Sequence, residues 1–213
     1  SSNCASVRAP TMGITPQQFK RLEERLARRA RSVSPVPESA LRLPAGGHQV
    51  ILGIDPSLRG TGYGVIRCGR PHPVALAYGT ITCPPSWEHS RCLLRIVQVL
   101  RDVLKQHRPT VCAVEGIFFA QNLKTAIVMG EARGAALCAV AEAGLEIYEI
   151  APRKVKQAIA GYGAAHKPAV ARMVQHILRL AQPPEFDAAD ALALALAHAQ
   201  ENGRYFLTAP RKV

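Results

Sequence analysis

The feature that most constrains the fold of this chain is a series of three short apolar runs separated by a few turn residues. Val50–Ile54, Tyr63–Arg67 and Leu76–Cys83 each have the length and composition of a β-strand, and glycine or proline bounds them. The Gly-rich segment Pro56–Gly62 is expected to form the first turn. Because short turns join antiparallel neighbours, we expect the sheet to begin with antiparallel strands.

Helices and strands alternate after the third strand. Residues 87–107 carry a wide apolar stripe at helical spacing, and Pro109 ends this predicted helix. Val111–Val114 is so apolar that we expect a central strand there. The remaining predicted elements are, in order, a helix over 122–143, a strand over 146–150 and helices over 153–160, 167–180 and 186–200.

The charge of the chain indicates an anionic partner. It contains 27 Lys and Arg against 15 Asp and Glu, which gives a formal net charge of +12. This balance favours a nucleic acid or an anionic membrane face, and composition does not choose between them. The longest apolar stretches, 135–141 and 191–197, are much shorter than the ~20 residues of a membrane span. We therefore expect no membrane partner.

A Ser-, Pro- and Gly-rich segment at 32–47 separates a basic extension from the rest of the chain. We expect residues 1–47 to be a disordered, basic N-terminal extension with a possible short helix over 17–31. The folded domain is expected over 48–200, and residues 201–213 are expected to be a C-terminal tail. The cysteines form no Cys-x-x-Cys pair, and this pattern fits a reducing compartment.

Four acidic residues stand out because of where they lie. Asp55 follows the first predicted strand and Glu115 follows the fourth, while Asp187 and Asp190 share one face at the start of the last helix. Acids at the ends of neighbouring central strands would meet at one edge of the sheet. Carboxylate oxygens suit Mg²⁺ or Mn²⁺, and two such ions roughly 3.5–4 Å apart can promote phosphodiester hydrolysis. This pattern predicts a metal-dependent nuclease site.

Each of these acids also has an ordinary explanation. An Asp before a Pro, such as Asp55, often only forms a turn, and Asp187 could simply cap its helix. Glu115 is harder to explain in this way, because an acid that ends a buried strand is costly unless it is paired or metal-bound. Two histidines, His166 and His198, are interpreted as surface residues without a catalytic role.

Five segments of the chain closely resemble motifs of the bacterial RuvC family of Holliday-junction resolvases. They occur in the family's order and at family-like separations, and together they cover about residues 50–200. The segments are GIDPSLRGTGYG at 53–64, VEGIFFAQN at 114–122, GEARG at 130–134, RKVKQ at 153–157 and DAADALA at 187–193. Ser57 and Leu58 depart from the family pattern, which usually has Gly and then Ser at these positions.

The resemblance implies an α/β domain with a ribonuclease-H-like, mixed five-stranded sheet flanked by helices. It implies a homodimer that uses Mg²⁺, with Mn²⁺ as a possible substitute and two ions per active site. The expected activity is paired, symmetric nicking of four-way DNA junctions, which leaves 5′-phosphate and 3′-hydroxyl ends. A branch-migration helicase complex is a possible partner. The expected location is the bacterial cytoplasm and nucleoid, with organellar targeting as a minor alternative.

The resemblance also assigns roles to individual residues. Asp55, Glu115, Asp187 and Asp190 correspond to the catalytic, metal-binding acids. Lys156 and Lys167 resemble the basic catalytic residues beside the scissile phosphate, and Phe118 resembles an aromatic that stacks on an unpaired base near the crossover. The residues expected to contact DNA are Phe118, Lys156, Lys167, Arg59 and Arg153.

Three other functions remain open from the sequence. The first is a different nuclease of the same fold, such as one that acts on RNA–DNA hybrids. The small-residue helix over 122–143 favours a dimer and so argues against this alternative. The second is a non-catalytic module that only binds junctions. The third is a sugar-kinase or actin-like ATPase, which needs two such lobes and is disfavoured because this chain has length for one.

Overall fold

The computed structural model describes residues 49–116, 123–202 and 211–212. The strands are β1 (Val50–Asp55), β2 (Gly60–Arg67), β3 (Val74–Thr82), β4 (Val111–Glu115), β5 (Glu146–Ile150) and β6 (Arg211–Lys212). The helices are α1 (His89–His107), α2 (Leu123–Glu142), α3 (Pro152–Ala160), α4 (Lys167–Leu178) and α5 (Phe186–Asn202). The element order over 49–202 is therefore the one that the sequence predicted.

One mixed sheet contains all six strands, in the order β3-β2-β1-β4-β5-β6. The first three strands are antiparallel neighbours, whereas β1, β4 and β5 run parallel to one another. The predicted mixed five-stranded sheet is confirmed, with β4 in the interior. The short strand β6 pairs antiparallel with β5 and lies in the segment that was expected to be only a tail.

The two faces of the sheet carry separate cores, and β1 contributes to both. Leu52 and Ile54 belong to the core that α1 and α2 cover, whereas Ile51 belongs to the core beneath α3, α4 and α5. This division follows from the period of two along a strand, which sends successive side chains to opposite faces. The apolar run at 50–54 is explained because both faces of β1 are buried.

Helix α5 lies directly against the backbone of β1 and β2. A Cβ atom added at Gly53 would stand 1.9 Å from the carbonyl oxygen of Ala191, and one at Gly62 would stand 1.9 Å from that of Asp187. Only glycine permits this approach, because any side chain would occupy the space of the helix backbone. The contact fixes the N-terminus of α5 beside the carboxyl end of β1.

The same contact explains two differences from the sequence predictions. Strand β2 begins at Gly60, inside the segment that was expected to be a turn, because its glycines pair in the sheet and make room for α5. The interpretation of His198 as a surface residue is wrong, since its side chain is fully buried and its ring lies 5.0 Å from that of Tyr148. His198 is buried because the sheet packs against one side of α5, while α3 and α4 pack against its other sides.

None of the helices in the described part of the chain combines the length and apolar composition that a bilayer span requires. The extension predicted over 1–47 lies outside the described residues, so its disorder and its short helix stay predictions. His166 is exposed ahead of α4, as expected for a surface residue.

We expect Gly62→Ala to destabilise the protein by about 3 kcal/mol or more, because the new methyl group would overlap the α5 backbone. Chemical denaturation followed by circular dichroism measures this loss. Gly69→Ala is the matched control, since its Cβ would meet only the His72 carbonyl at 3.9 Å. Equal stability of the two variants would contradict the close packing of α5.

Candidate active site

Asp55 and Glu115 lie side by side at the carboxyl ends of the two central strands. The parallel register pairs Ile54 with Val114, so the next residue of each strand is an acid. Their carboxyl groups are joined by a side-chain hydrogen bond. Parallel pairing thus brings together two acids that are 60 positions apart in sequence.

Burial makes it unfavourable for both of these carboxyl groups to carry a charge. It is the largest cause that raises the pKa of Asp55 to about 8, and the nearby charges of Glu115 and Asp190 raise it further. Burial also raises the pKa of Glu115, although the hydrogen bond from Asp55 acts in the opposite direction. Burial and mutual repulsion therefore disfavour ionisation of both carboxyl groups at the same time.

Asp187 and Asp190 come from the first turns of α5 and face the ammonium group of Lys167. The Lys167 Nζ lies 2.9 Å from Asp190 Oδ2 and 4.0 Å from Asp187 Oδ1. Burial lowers the pKa of Lys167, but its hydrogen bond to Asp190 and the surrounding carboxylates outweigh burial and raise that pKa overall. Lys167 is therefore held in its charged form, at the N-terminus of α4.

Six of the predicted site residues act on one another electrostatically. The charge of Asp190 raises the pKa values of Asp55 and Glu115, whereas that of Lys167 lowers both. Lys156, on α3, lowers the pKa of Glu115 as well. We call these residues the acid cluster with its two lysines: Asp55, Glu115, Asp187, Asp190, Lys156 and Lys167.

The acid cluster has the donor set of a hard divalent cation, since all four ligands are carboxylates. Burial raises the pKa of Asp55, so an added positive charge at this position would favour its ionised form. In this structure the Lys167 ammonium lies among the acids. Among the described residues, no three or more His, Cys, Asp or Glu side chains are arranged closely enough to hold a metal ion.

The other residues predicted to contact DNA are placed differently. The Arg59 guanidinium donates to the carbonyl oxygens of Pro84 and Trp87 and lies 3.8 Å from Cys92 Sγ, so it ties the loop before α1 to the start of β2. Arg153 is exposed, with its side chain over Gly163. Phe118 lies outside the described residues. The DNA contacts of these three residues stay predictions.

The loop that follows Asp55 is closed by Thr61. Its buried hydroxyl donates to the Ser57 carbonyl and accepts a hydrogen bond from the Ser57 N–H at 3.1 Å. Leu58, one of the two departures from the family pattern, is buried in the core beneath α1. The loop after Asp55 therefore forms an ordered turn although Ser57 and Leu58 depart from the family pattern.

Arg133 is a positioning residue that sequence reasoning did not single out. Its guanidinium, on α2, donates to the backbone carbonyl of Glu115 and pairs with the carboxylate of Glu149 on β5. This contact ties α2 to the end of β4 that carries a site acid. A signal was present in the sequence, because Arg133 is the basic residue within the matched GEARG segment.

The sheet order, together with acids at the ends of the two central strands and on the last helix, defines the class: a ribonuclease-H-like nuclease domain. Comparison with known proteins gives the family. The sequence model of the family described as "Crossover junction endodeoxyribonuclease RuvC" matches residues 51–198. The chain belongs to the RuvC family, and the predicted fold, family and enzyme class are confirmed.

Individual relatives agree with this assignment. The chain is 47% identical over 148 residues to the crossover junction endodeoxyribonuclease RuvC of Akkermansia muciniphila, a match that covers 70% of this chain and 89% of that relative. It is 48% identical over 149 residues to that of Halorhodospira halophila, with the same coverage. Among solved structures, Thermus thermophilus RuvC in complex with Holliday junction substrate gives a TM-score of 0.67 at 40% identity, covering 71% of this chain and 93% of that one.

We expect Asp55→Asn to stabilise the metal-free protein, because the folded wild type holds a proton on Asp55 up to about pH 8 whereas the unfolded chain releases it near 3.8. The folded state binds the extra proton in this range, so the free energy of unfolding of the wild type falls as pH rises from about 4 to about 8. Asparagine does not ionise, so the free energy of unfolding of the Asp55→Asn variant does not fall in this way. Because each pKa unit corresponds to about 1.4 kcal/mol, the stabilisation should approach roughly 5 kcal/mol at about pH 8 and vanish near pH 4.

Denaturation in a chelator at several pH values measures the effect. Asp102→Asn, at an exposed carboxylate on α1, is the matched control and should change the stability by less than about 0.5 kcal/mol. Adding Mg²⁺ should stabilise the wild type more than the Asp55→Asn variant, through binding to the folded state. Parallel pH profiles for wild type and Asp55→Asn would contradict the raised pKa of Asp55.

Proposed function

We propose that this protein is a structure-selective endonuclease that resolves four-way DNA junctions by paired, symmetric nicks. The observation that carries the proposal is the acid cluster with its two lysines, assembled at the sheet edge from β1, β4, α3, α4 and α5. The similarity to an RuvC that is solved in complex with Holliday junction substrate supports the same substrate here. Such an enzyme acts in recombination and repair.

The proposed reaction is hydrolysis of one phosphodiester in each of two strands. The oxygen of a water forms a bond to phosphorus while the bond from phosphorus to the 3′ oxygen breaks. The water gives up a proton and the 3′ oxygen gains one, so the products end in a 5′-phosphate and a 3′-hydroxyl. Lys156 and Lys167 are suited to hold the phosphate, because their positive charges face the same cluster.

Membership of the RuvC family implies dependence on a divalent metal, and we propose Mg²⁺, with two ions per active site. Asp55, Glu115, Asp187 and Asp190 would be the residues that hold them. When bound, the metal stabilises negative charge on the phosphate and on the departing oxygen. The Lys167 ammonium lies 2.9 Å from Asp190 Oδ2, and a DNA phosphate would offer it a second anionic partner.

We further propose that the enzyme is a homodimer, formed through the exposed face of α2. Leu123 and Ile127 are 77% and 53% exposed there, and a Cβ added at Gly130 or Gly134 would meet nothing within 4 Å. An apolar face without bulk allows another helix to approach closely. Two copies related by a two-fold axis match the symmetry of a four-way junction and would cut two strands symmetrically.

The proposed cellular setting rests on the cysteines and on the substrate. The described cysteines 68, 83, 92, 112 and 138 are free thiols, which supports a reducing compartment such as the bacterial cytoplasm. Because the proposed substrate is DNA, we expect the protein to bind within the nucleoid. A branch-migration helicase is proposed as a partner because the junction has to be delivered to the nuclease.

The decisive test is a synthetic four-way junction incubated with protein and Mg²⁺, with the ends of the products mapped. We expect paired symmetric nicks by the wild type and no nicks by Asp55→Asn, which should bind the junction with unchanged affinity. Lys156→Ala should slow cutting about 100-fold while it weakens binding much less.

Two other outcomes would favour the alternative functions. Faster cleavage of an RNA–DNA hybrid than of the junction would favour another nuclease of this fold, and binding without any cleavage would favour a non-catalytic module.

The dimer is tested separately by analytical ultracentrifugation. Ile127→Glu should shift the protein to a monomer, because it places a charge in the centre of an apolar contact. Met173→Glu is the control, since Met173 is an exposed apolar residue on α4, on the other face of the sheet. If both variants sediment as the wild type does, the α2 face is not the dimer contact.

A further inference from the structure

Two cysteine thiols meet in the core between the end of β3 and the first turn of α1. Cys83 directly follows β3 and Cys92 lies in the first turn of α1. Both are free thiols, and they are 5% and 0% exposed. A hydrogen bond joins the two side chains, and the Cys83 Sγ also lies 4.0 Å from the carbonyl oxygen of Cys92. The two sulfur atoms are therefore neighbours that no covalent bond links.

The segment that joins these two cysteines lies at the surface. Seven of its eight residues, 84–91, are exposed, and Trp87 is half-buried. A surface segment that buries few side chains opens locally at a low free-energy cost. Burial raises the pKa of the Cys83 thiol, although the charges of Arg59 and Arg95 act in the opposite direction. Because the thiolate is the nucleophile, the pair reacts through the open state, in which a small oxidant gains access to sulfur.

Arg59 connects the thiol pair to the active site. Its carbonyl oxygen accepts a hydrogen bond from the Cys83 N–H at 3.3 Å, and its guanidinium lies 3.8 Å from Cys92 Sγ. The next residue, Gly60, begins β2, and a Cβ atom added there would stand 2.9 Å from Asp187 Oδ2. A displacement of Arg59 is therefore passed to backbone that packs against a site acid.

We propose that Cys83 and Cys92 are a modification site at which a small-molecule disulfide, such as oxidised glutathione, forms an intramolecular disulfide bond. The thiolate of one cysteine attacks a sulfur of the oxidant, whose S–S bond breaks and releases one thiol. The second cysteine attacks the resulting mixed disulfide, and a second thiol leaves. The protein gives up two electrons and two protons in total, and the oxidant takes them up as two thiols.

This oxidation changes the surroundings of Arg59. A covalent bond brings two sulfur atoms closer together than a hydrogen bond between thiols does. The end of β3 and the start of α1 then move toward each other, and Arg59 moves with the groups that it contacts. Gly60 is displaced against the Asp187 carboxylate, so the oxidised enzyme cuts more slowly. This slowing rests on the proposed function, whereas formation of the disulfide does not depend on it.

The modification site is tested by peptide mapping of the full chain after incubation with oxidised glutathione and alkylation under denaturing conditions. Trypsin cleaves after Arg91, between the two cysteines, so the disulfide leaves two peptides linked to each other. We expect this linked pair in mass spectra, and dithiothreitol should restore both thiols. With Mg²⁺, the oxidised protein should cut four-way junctions about tenfold more slowly than the reduced protein, at unchanged junction affinity.

Variants assign the effect to the pair and to Arg59. Cys83→Ala and Cys92→Ser should each form no linked peptides and should cut at the same rate with and without oxidant. Cys68→Ser is the matched control, because Cys68 is a half-buried free thiol after β2, and this variant should respond to the oxidant as the wild type does. Arg59→Lys should form the disulfide, but oxidation should slow its cutting less. Circular dichroism confirms that each variant is folded.

Several outcomes would overturn these inferences. Both thiols remaining free in the oxidant, or linkage of either one to another cysteine, would overturn the modification site. Linked peptides with an unchanged cutting rate, or equal slowing of wild type and Arg59→Lys, would overturn only the connection to the active site. A reduced wild type that cuts no junction contradicts the proposed function, and peptide mapping still decides whether the disulfide forms.

Discussion

The backbone contact between α5 and the strands β1 and β2 determines where the site acids lie. Glycines at positions 53 and 62 leave no side chain between the helix and the sheet. The first turn of α5 is thereby fixed beside the end of β1, where Asp55 lies. A helix held off by ordinary side chains would carry Asp187 and Asp190 away from Asp55 and Glu115. The small residues of the strand and the alanine-rich helix therefore serve the geometry of the site as well as the core.

This packing has an electrostatic consequence. It buries carboxyl groups beside one another, and burial is the largest cause of the raised pKa values of Asp55 and Glu115. Lys167 partly offsets the repulsion through its contacts with Asp187 and Asp190. The cluster thus favours added positive charge, whereas the lysines at its edge favour an added phosphate. A metal ion and a nucleic-acid backbone satisfy these two requirements together.

The two faces of the sheet serve different purposes in the proposed enzyme. Helices α1 and α2 cover one face, and α2 presents an exposed apolar surface to a second copy. The other face carries α3, α4 and α5, which hold the lysines and two of the acids. Arg133 links the two sides, because it extends from α2 to the carbonyl of Glu115 at the end of β4. In the proposed dimer, this residue would connect the α2 contact with the end of β4 that carries Glu115.

The sequence by itself determined the element order and the mixed sheet, and it singled out four acids that the fold brings together. These features depend on local periodicity and on ordered motifs, both of which are present in one chain read from end to end. Tertiary structure decided where β2 begins, because only the approach of α5 explains why Gly60 and Gly62 belong to a strand. It also decided that His198 is buried, that Arg59 contacts its own chain and that Arg133 supports the site. Each of these outcomes depends on which distant element packs against the residue, and periodicity within one element does not carry that information.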